Sequence, residues 1–318
     1  MIYINYSFQN SNGGGNSFLK RLQNSLKNKK FYTSFVKSKV IIFNSHHRLI
    51  TTLFLKLLFP KKYFIHRVDG PISLYTGKSD KRDKLVLLIN KIADFTIFQS
   101  RYSYYEHNKI LKNKNDSFKI INNGTYIKNK NLNKKLSSKK IKIIISSWSP
   151  NFNKGFEIFK FLDENINQNK FEIDFYGNCP LEFNYIRQMG SIGFEDLEDL
   201  IQNYDLAIIA SKNDPCSNFL IECINNDLDI LALNSGGHPE LISNKNCLFE
   251  TKIELYDKLN KYKINNYKNI LKYNIDKISN EYIDVCKTVL KLKKLHKVNL
   301  SDFILLLVNF LIIKIKDK

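Results

Sequence analysis

The sequence predicts an α/β protein made of two Rossmann-like domains, each built on a parallel sheet. Short apolar runs alternate with amphipathic segments along the whole chain, the pattern of repeated strand and helix units. The pattern occurs twice, and a lysine-rich stretch at 128–140, whose apolar residues are two leucines, separates the halves. A chain of 318 residues, 43% of them hydrophobic, is long enough for two cores. We therefore expect domains at 1–135 and 136–295, followed by a C-terminal helical tail at 296–318.

The first half is predicted to alternate five strands with four helices. The short apolar runs predict strands at Ile2–Ser7, Val40–Ser45, Tyr63–Val68, Phe95–Ser100 and Lys119–Asn122. The amphipathic segments between them predict helices at Ser17–Asn28, His46–Leu58, Asp80–Ala93 and Arg101–Lys112. A glycine-rich loop at 12–17 joins the first strand to the first helix. Its glycines allow the backbone to approach another molecule closely, and Ser17 is predicted to cap the helix.

The second half repeats the pattern with four strands and three helices. The predicted strands are Ile141–Ser146, Phe171–Tyr176, Asp205–Ala210 and Leu228–Leu233. The predicted helices are Gly155–Gln168, Glu195–Asn203 and Pro215–Asn226. Ligands of doubly wound sheets bind outside the carboxyl ends of the strands. The loops that follow the predicted strands are therefore where a binding site is expected.

Composition argues against several kinds of site. The five cysteines form no CxxC pair and have no histidine at metal-ligand spacing, so neither a disulfide framework nor a zinc site is predicted. The N-terminus lacks a basic region followed by an apolar run, so we expect a cytoplasmic protein without a secretory signal. The formal net charge of +20 reflects either a lysine-rich composition or an anionic partner. An anionic membrane surface fits this charge better than nucleic acid, because the lysines are dispersed and no nucleic-acid module is recognised.

The most informative segment is 211–240, in which two carboxylates and a glycine pair frame one helix and one apolar strand. Asp214-Pro215 predicts a helix start, which puts Glu222 about 12 Å further along the axis at about 1.5 Å per residue. Carboxylates so far apart cannot flank one bond, as glycosidase acids do at about 5–10 Å, but they can hold both ends of a nucleotide-sugar. The alternative is that they are a helix cap and a surface residue, and that Gly236-Gly237 is only a tight turn.

In its order of helix, apolar strand and Gly-Gly-His-Pro-Glu, this segment resembles the retaining glycosyltransferases of family 4, also called glycosyltransferase group 1. The Glu-x7-Glu motif of that family aligns with Asp214 and Glu222, with Asp in place of the first Glu. The resemblance implies a GT-B fold, in which two Rossmann-like domains enclose a deep cleft. It also implies that Glu222 binds the ribose of the donor, while Asp214 and the amides around Ser217 and Asn218 bind the sugar.

Further matches to the family lie after other predicted strands. Lys154-Gly155 matches the lysine that neutralises the donor diphosphate, and a helix N-terminus beside it favours anions. The family has an arginine shortly before, where this chain has Ser147 and the two residues after it. The resemblance places Gly177 and Ile192 near the nucleobase, and Gly14-Gly15 near the donor phosphate. The alternatives are a solvated lysine, ordinary strand-end glycines and a flexible surface loop.

Ionisable residues also gather after the third predicted strand, at His66 and Asp69. A buried His and Asp can exchange protons with an acceptor hydroxyl or hold the transferred sugar. The family commonly has a His, often with an Asp, at this place, so the resemblance implies that His66 and Asp69 contact the sugar. The alternative is a strand-end turn with a structural histidine. His46-His47 is a weaker candidate, and these residues do not combine into a metal cluster.

The tail contains the most apolar segment, Phe303–Ile315. At about 13 residues it is too short to span a bilayer, which takes about 20. Lysines flank it on both sides, so it is able to lie in a membrane interface. The alternative is a terminal helix that packs back on the first domain.

Together these observations predict a glycosyltransferase of the hexosyltransferase type. It would move a sugar from a UDP- or GDP-sugar donor to a saccharide or lipid-linked acceptor in surface polysaccharide or glycan synthesis, with retention implied by the resemblance alone. The expected catalytic residues are His66, Asp69, Lys154 and Asp214. No metal is required, no cofactor is permanently bound, and no nucleic acid is expected as a partner. Peripheral association with the inner face of the membrane is a further expectation.

Two alternative functions stay open at this stage. A sugar-nucleotide epimerase uses a similar pair of domains and also binds a nucleoside diphosphate. A catalytically silent protein that binds membranes or nucleic acid would retain the fold without the reaction. The Asp at position 214 and the missing arginine favour that second alternative.

Overall fold

A computed structural model describes residues 1–9, 14–111, 117–127, 140–292 and 297–315. Apart from Lys140, the predicted linker at 128–140 lies outside the described residues, as does the start of the glycine-rich loop. The described residues form two compact units: the first lies within 1–10, 19–122 and 275–318, the second within 11–18 and 123–274. The described residues 275–292, which the predicted ranges assign to the C-terminal domain, cluster with the first unit.

Strands and helices alternate through both units, as the sequence pattern predicts. The strands are β1 (Ile2–Asn5), β2 (Val40–Asn44), β3 (Tyr63–Val68), β4 (Phe95–Phe98), β5 (Phe118–Ile120), β6 (Ile141–Ser147), β7 (Phe171–Gly177), β8 (Arg187–Gln188), β9 (Leu206–Ile209), β10 (Asp229–Leu233) and β11 (Leu248–Phe249). The helices are α1 (Gly14–Asn28), α2 (Leu49–Leu58), α3 (Ile72–Thr76), α4 (Lys81–Asn90), α5 (Arg101–Leu111), α6 (Phe156–Asn165), α7 (Phe194–Ile201), α8 (Asn218–Asn225), α9 (His238–Leu241), α10 (Lys252–Asn260), α11 (Ile275–Val289) and α12 (Leu300–Ile315). All nine predicted strands are present, with ends that differ by at most two residues.

The second unit has the strand order β11-β10-β9-β6-β7-β8, and all of its strand pairs are parallel. The chain starts at the central strand β6, adds strands on one side and then crosses to the other side at β9. Loops that leave β6 and β9 therefore diverge to opposite faces and leave a crevice at the carboxyl edge of the sheet. This is the place where a doubly wound sheet binds ligands.

The first unit has a parallel sheet in the order β1-β2-β3-β4-β5. A single parallel bridge between Ile2 and Tyr32 extends the sheet beyond β1. The chain therefore visits one side of β1 at Tyr32 and returns to the other side at β2, which is the doubly wound pattern. The two units together confirm the predicted class of two parallel-sheet, Rossmann-like domains.

Three predicted helix starts are wrong. The second helix begins at Leu49 rather than at His46, because Arg48 before it is left-handed at φ 51°. The helix predicted from Pro215 begins at Asn218, and Ser217 rather than Asp214 is its cap. The first helix already begins at Gly14, so Ser17 lies inside it rather than at its cap. Before the second helix and α8, the backbone conformation of Arg48 and the cap formed by Ser217 set the start, which sequence spacing does not reveal.

Apolar side chains from strands and helices fill both faces of the sheets. In the second unit, Ile143 and Phe175 lie in the core on one face, while Ile144 and Ala207 lie on the other. In the first unit, the core between β2, β3, α2 and α4 also takes in side chains from the C-terminal helix α12. Among the described residues, no helix has the length and apolar character needed to cross a membrane.

Candidate functional site

The carboxyl edge of the second sheet brings together the loops that follow β6, β9 and β10. Lys154 ends the turn after β6, and Asp214 lies in the loop after β9. The Lys154 Nζ atom is 2.9 Å from Asp214 Oδ2, and the two side chains are 26% and 15% exposed. Two residues that were predicted separately to bind a donor are thus joined in one partly exposed ion pair.

The surroundings of Asp214 keep its carboxyl group ionised. Its Oδ1 atom accepts a hydrogen bond from the backbone amide of Cys216 at 3.2 Å. Burial alone raises the pKa of the Asp214 carboxyl, but the nearby Lys154 ammonium and the Cys216 amide outweigh it, so the pKa lies below its usual range. At neutral pH, Asp214 is therefore a hydrogen-bond acceptor and not a proton donor.

The loop after β10 holds the backbone around Asp214 in place through hydrogen bonds and close packing. The amide of Gly237 donates to the Asp214 carbonyl oxygen at 2.8 Å, and the amide of Asn213 donates to Ser235 Oγ at 3.0 Å. Gly236 has φ 61°, and a Cβ atom there would collide with the Asp214 backbone. The glycine pair therefore serves close packing of two loops, which gives it a role in positioning the site.

The turn that carries Lys154 is fixed in a similar way against the end of β9. Gly155 has φ 95°, and a Cβ atom on it would collide with Ala210. The amide of Lys212 donates to the Asn153 carbonyl oxygen at 2.6 Å. Gly155 is also the N-cap of α6, and no side chain caps that helix end. Lys154 consequently stands beside the amide groups of a ten-residue helix.

His238 links the loops after β9 and β10, a role that the sequence did not predict although the residue lies within the Gly-Gly-His-Pro-Glu motif. Its side chain is fully buried. The Nδ1 atom donates to the Leu233 carbonyl oxygen at 2.9 Å, and Nε2 accepts from Ser211 Oγ at 3.3 Å. Burial lowers the pKa of His238, although Asp214 opposes this. The neutral ring therefore has a structural role, because its two hydrogen bonds connect the loops that follow β9 and β10.

Glu222 lies on α8, the helix that follows Asp214, and Ser217 is the N-cap of that helix. Ser217 Oγ caps α8 by accepting from the Leu220 amide at 3.3 Å, and Glu222 is 3% exposed on the inner side of the helix. The predicted spacing of about 12 Å between Asp214 and Glu222 assumed one continuous helix. Because α8 begins only at Asn218, that assumption is wrong.

Asn218 ties together segments of the second unit that are far apart in sequence. Its Oδ1 atom accepts from Asn123 Nδ2 at 2.9 Å, and its Nδ2 atom donates to the Gly14 carbonyl oxygen at 2.8 Å. The Asn123 amide also donates to Cys216 Sγ at 3.3 Å. Gly15 follows Gly14 in the first turn of α1. Asn123 was not predicted as a site residue, although the turn that it forms with Gly124 resembles an Asn-Gly turn of the same family.

Gly177 and Ile192, the residues predicted near a nucleobase, lie at the end of β7 and after β8, and Ser147 lies beside Gly177 at the end of β6. Ser147 is 5% exposed, and its Oγ atom donates to the Ser149 carbonyl oxygen at 2.7 Å. The Gly177 amide donates to the Gly190 carbonyl oxygen at 2.9 Å, which holds the segment leading to Ile192 against β7. Ile192 is partly buried against the core. Trp148, 42% exposed, lies beside them and offers an aromatic face that was not predicted.

His66, in the first unit, is a structural histidine. Its side chain is fully buried, its Nε2 atom donates to the Ser45 carbonyl oxygen at 3.0 Å, and its Nδ1 atom accepts from Asn90 at 2.9 Å. Burial lowers the pKa of His66 to about 3. Both ring nitrogens are hydrogen-bonded and no side-chain surface is exposed, which favours the structural role over the predicted contact with a sugar.

Asp69 is the more accessible member of that predicted pair. Its side chain is 27% exposed and is paired with Arg67. Asn44 Nδ2 and Ser45 Oγ each donate to Asp69 Oδ2 at 2.9 Å. Burial raises the pKa of the Asp69 carboxyl, but Arg67 and these hydrogen bonds outweigh it and lower the pKa overall. Asp69 is a fixed anion that leaves part of its carboxylate open to solvent.

His46 and His47 lie near Asp69 but begin no helix. Their rings stack with centroids 4.4 Å apart, and burial lowers the pKa of His46 to about 4. Among the described residues, no three His, Cys, Asp or Glu side chains are placed to hold a metal ion. All five cysteines are free thiols.

Comparison with solved structures finds close matches in fold. HepE from Anabaena, solved with UDP and glucose, superposes with a TM-score of 0.69 over 92% of this chain and 99% of its own, at 14% identity. Sucrose-phosphate synthase from Thermosynechococcus elongatus gives 0.64 over 100% and 99%, at 12% identity. WaaG, a glycosyltransferase involved in lipopolysaccharide biosynthesis, gives 0.59 over 93% and 96%, at 11% identity.

At such low identity, these likenesses show the fold alone. The fold consists of two Rossmann-like domains of the GT-B type, with nearly complete coverage of both chains. No protein-family model matches this chain, and no curated protein matches it.

Proposed function

We propose that this protein is a glycosyltransferase that binds a nucleoside diphosphate sugar at the carboxyl edge of the second sheet and transfers the sugar to a hydroxyl group. The observation that carries the proposal is the ion pair of Lys154 and Asp214, 2.9 Å apart and open to solvent at the switch point of the strand order. The GT-B fold and the UDP and glucose bound to HepE support the same reaction class.

Lys154 is the group that would neutralise the diphosphate. Its ammonium stands beside the uncapped N-terminus of α6, so a charged side chain and backbone amides together favour an anion there. During transfer, negative charge develops on the departing diphosphate. Donors that are held in place before the reaction stabilise that charge without reorganisation. A lysine supplies this stabilisation without a metal, so we propose that none is required.

Asp214 and the residues after it would bind the sugar. The Asp214 carboxylate is ionised and fixed at both oxygens, which suits it to accept hydrogen bonds from sugar hydroxyls. The amides around Ser217 and Asn218 precede and open α8 and are the second set of contacts. Glu222, one turn further along that helix, would accept from the ribose hydroxyls.

The finer assignment rests on the sequence resemblance together with this geometry. We propose retention of configuration, a hexosyl donor linked to UDP or GDP, and a saccharide or lipid-linked acceptor. Gly177 and Ile192 would line the nucleobase, with Gly14-Gly15 near the phosphates and Ser147 in the donor-side turn where the resembled family has an arginine. Of the predicted pair His66 and Asp69, we propose that the partly exposed Asp69 carboxylate contacts the acceptor or the sugar and that the buried His66 does not.

Calorimetric titration with UDP and GDP tests the proposal. The Lys154→Ala variant should bind the preferred nucleotide at least tenfold more weakly, because a hydrogen bond to a charged group contributes about 1.5–3 kcal/mol. Lys160→Ala is the matched control, since Lys160 lies on α6 and pairs with Asp163 away from the loop edge. Absence of binding to both nucleotides, or equal binding by Lys154→Ala and wild type, would contradict the proposal.

A further inference from the structure

Two helices of the first unit, α2 and α12, pack side by side and leave a row of apolar side chains exposed. Phe54 of α2 contacts Phe303 of α12, with ring centroids 4.8 Å apart. The surface formed by the exposed apolar residues of both helices is called the α2–α12 face. Its members are Ile50, Phe54, Leu58, Leu300, Ile304, Leu305, Val308, Leu311 and Ile312, which are 40% to 65% exposed.

On α2, apolar residues lie on both the inner and the outer side of the helix, with Leu55 and Leu57 half-buried. Leu49, Leu53 and the ion-paired Lys56 face the interior and are at most 4% exposed. Ile50, Phe54 and Leu58 recur every four residues on the opposite side, at 40%, 45% and 65% exposure. An amphipathic helix on a soluble surface would carry polar residues there. This helix instead presents apolar residues outward.

The C-terminal helix α12 is apolar on both sides. Phe303, Leu306 and Phe310 are 5% to 7% exposed and complete the core of the first unit. The side that faces away from the core carries Ile304, at 52% exposure, and Val308, at 45%. A helix that is apolar all round is normally buried on all sides. One side of α12 packs against the first unit. The other side exposes apolar side chains to water, so an apolar partner that covers them would be favoured.

The charge around this face indicates which apolar partner fits. Residues 1–68 contain 12 Lys and Arg and no Asp or Glu. Three of these side chains, Arg21, Lys56 and Arg67, are buried, and α12 itself carries the exposed Asp302 in its first turn. At the α2 end, Phe59 contacts Phe35 with centroids 4.8 Å apart, next to Val36, which is 82% exposed. Lys37, Lys39 and Lys61 follow in the same loops and are exposed. An apolar surface bordered by lysines suits a layer that is apolar inside and anionic at its surface.

We propose that the α2–α12 face docks this protein on an anionic lipid bilayer, with α2 and α12 lying in the interface and the lysines on the headgroups. A second copy of the chain fits less well, because each copy carries a net charge of +20 and two basic surfaces would be brought together. The proposal rests on packing and charge, and it holds whether or not the transferase reaction is as proposed above.

Cosedimentation of the full chain with vesicles tests the proposal, using pure phosphatidylcholine and a 7:3 mixture with phosphatidylglycerol. The wild type should bind the anionic vesicles at least tenfold more strongly than the neutral ones. Leu58→Ser with Ile304→Ser should reduce that binding at least tenfold. Ile270→Ser is the matched control, because Ile270 is 84% exposed but lies in the second unit, and its binding should stay within twofold of wild type.

Charge and insertion are measured separately. Lys37→Gln with Lys39→Gln and Lys61→Gln should weaken binding to the anionic vesicles at least threefold, with little change on neutral ones. Leu58→Trp in a Trp148→Phe background should shift its fluorescence to the blue when anionic vesicles are added, because the indole enters the interface. This variant replaces one exposed apolar side chain with another, so its result stands even if the serine variants fail to fold.

Three results would overturn the proposal. The first is a wild type that does not bind anionic vesicles, and the second is a Leu58→Ser and Ile304→Ser variant that binds them as the wild type does. The third is a dimer in light scattering without lipid that the same double variant dissociates. That last result would assign the face to a second copy of the chain.

Discussion

The Lys154 Nζ atom and the Asp214 Oδ2 atom lie 2.9 Å apart, although the two residues are 60 positions apart in the chain. One follows β6 and the other follows β9, the two strands at which the sheet order changes direction. Each charge neutralises the other while no ligand is present. A diphosphate that binds Lys154 must compete with Asp214, which makes the carboxylate a determinant of nucleotide affinity as well as a candidate sugar contact.

Asp214→Asn is predicted to separate these two effects. Without the competing carboxylate, Lys154 keeps its full charge for the phosphates, so UDP or GDP should bind about threefold more tightly. Transfer from the sugar donor should fall at least a hundredfold, because an amide replaces the acceptor for sugar hydroxyls. Titration and donor turnover measure the two effects. Glu164→Gln is the control, since Glu164 lies at the opposite end of α6 from Lys154 and is 54% exposed; weaker nucleotide binding by Asp214→Asn would contradict the competition.

Glu222→Gln is predicted to weaken binding through the ribose alone. We expect a loss of about tenfold for UDP, since a hydrogen bond to a charged group contributes about 1.5–3 kcal/mol. The 2′,3′-dideoxy form of UDP lacks the hydroxyls, so wild type and variant should bind it equally. Titration of both proteins with both nucleotides completes a double cycle. If Glu222→Gln lowered the affinity for UDP and for its dideoxy form equally, Glu222 would act in the folding of α8 and not in ribose recognition.

Gly236→Ala is predicted to destabilise the fold by about 2–4 kcal/mol. The substitution combines a left-handed backbone with a collision against Asp214. Gly190→Ala is the matched control, because Gly190 has φ 77° but nothing within 4 Å of its Cβ position. We expect about 1 kcal/mol there. Urea unfolding measures both, and equal losses would mean that the contact between the two loops contributes nothing.

The burial of His66 predicts a pH dependence of stability. The pKa of His66 falls from 6.5 in the unfolded chain to about 3 in the folded protein. Between pH 6.5 and pH 3, the His66 ring is therefore protonated in the unfolded chain and neutral in the folded protein. Stability from this residue is therefore complete above pH 6.5 and is lost as pH falls towards 3. From pH 7.0 to 5.5, wild type should lose about 1 kcal/mol more than His66→Phe.

Phenylalanine is a suitable replacement because His66 already stacks on Phe43, with ring centroids 4.5 Å apart. Urea unfolding at the two pH values gives the difference, and the other histidines cancel because both proteins contain them. A variant whose stability falls as steeply as that of the wild type would show that His66 is protonated in the folded state.

Much of the fold could be predicted from local pattern. The run at Val40–Asn44 is mostly apolar because strands of a covered parallel sheet are buried on both faces, and Tyr63–Val68 is buried in the same way although it includes His66 and Arg67. Lys154 and Asp214 were predicted as donor-site residues from the motifs alone. The start of α8 could not be predicted in this way. Asp214 precedes a proline and has the sequence of a helix cap, but its carboxylate pairs with Lys154, which only the folded chain brings near.

The sequence by itself determined the two-sheet class, the order of strands and the loops in which a site is expected, since apolar periodicity and glycine positions are local properties. Tertiary structure decided which charged groups are available. His66 and Asp69 lie three positions apart, yet packing buries the first completely and leaves the second 27% exposed. It likewise decided which side of the mostly apolar α12 faces solvent, because its few polar residues give only a weak local signal of its orientation.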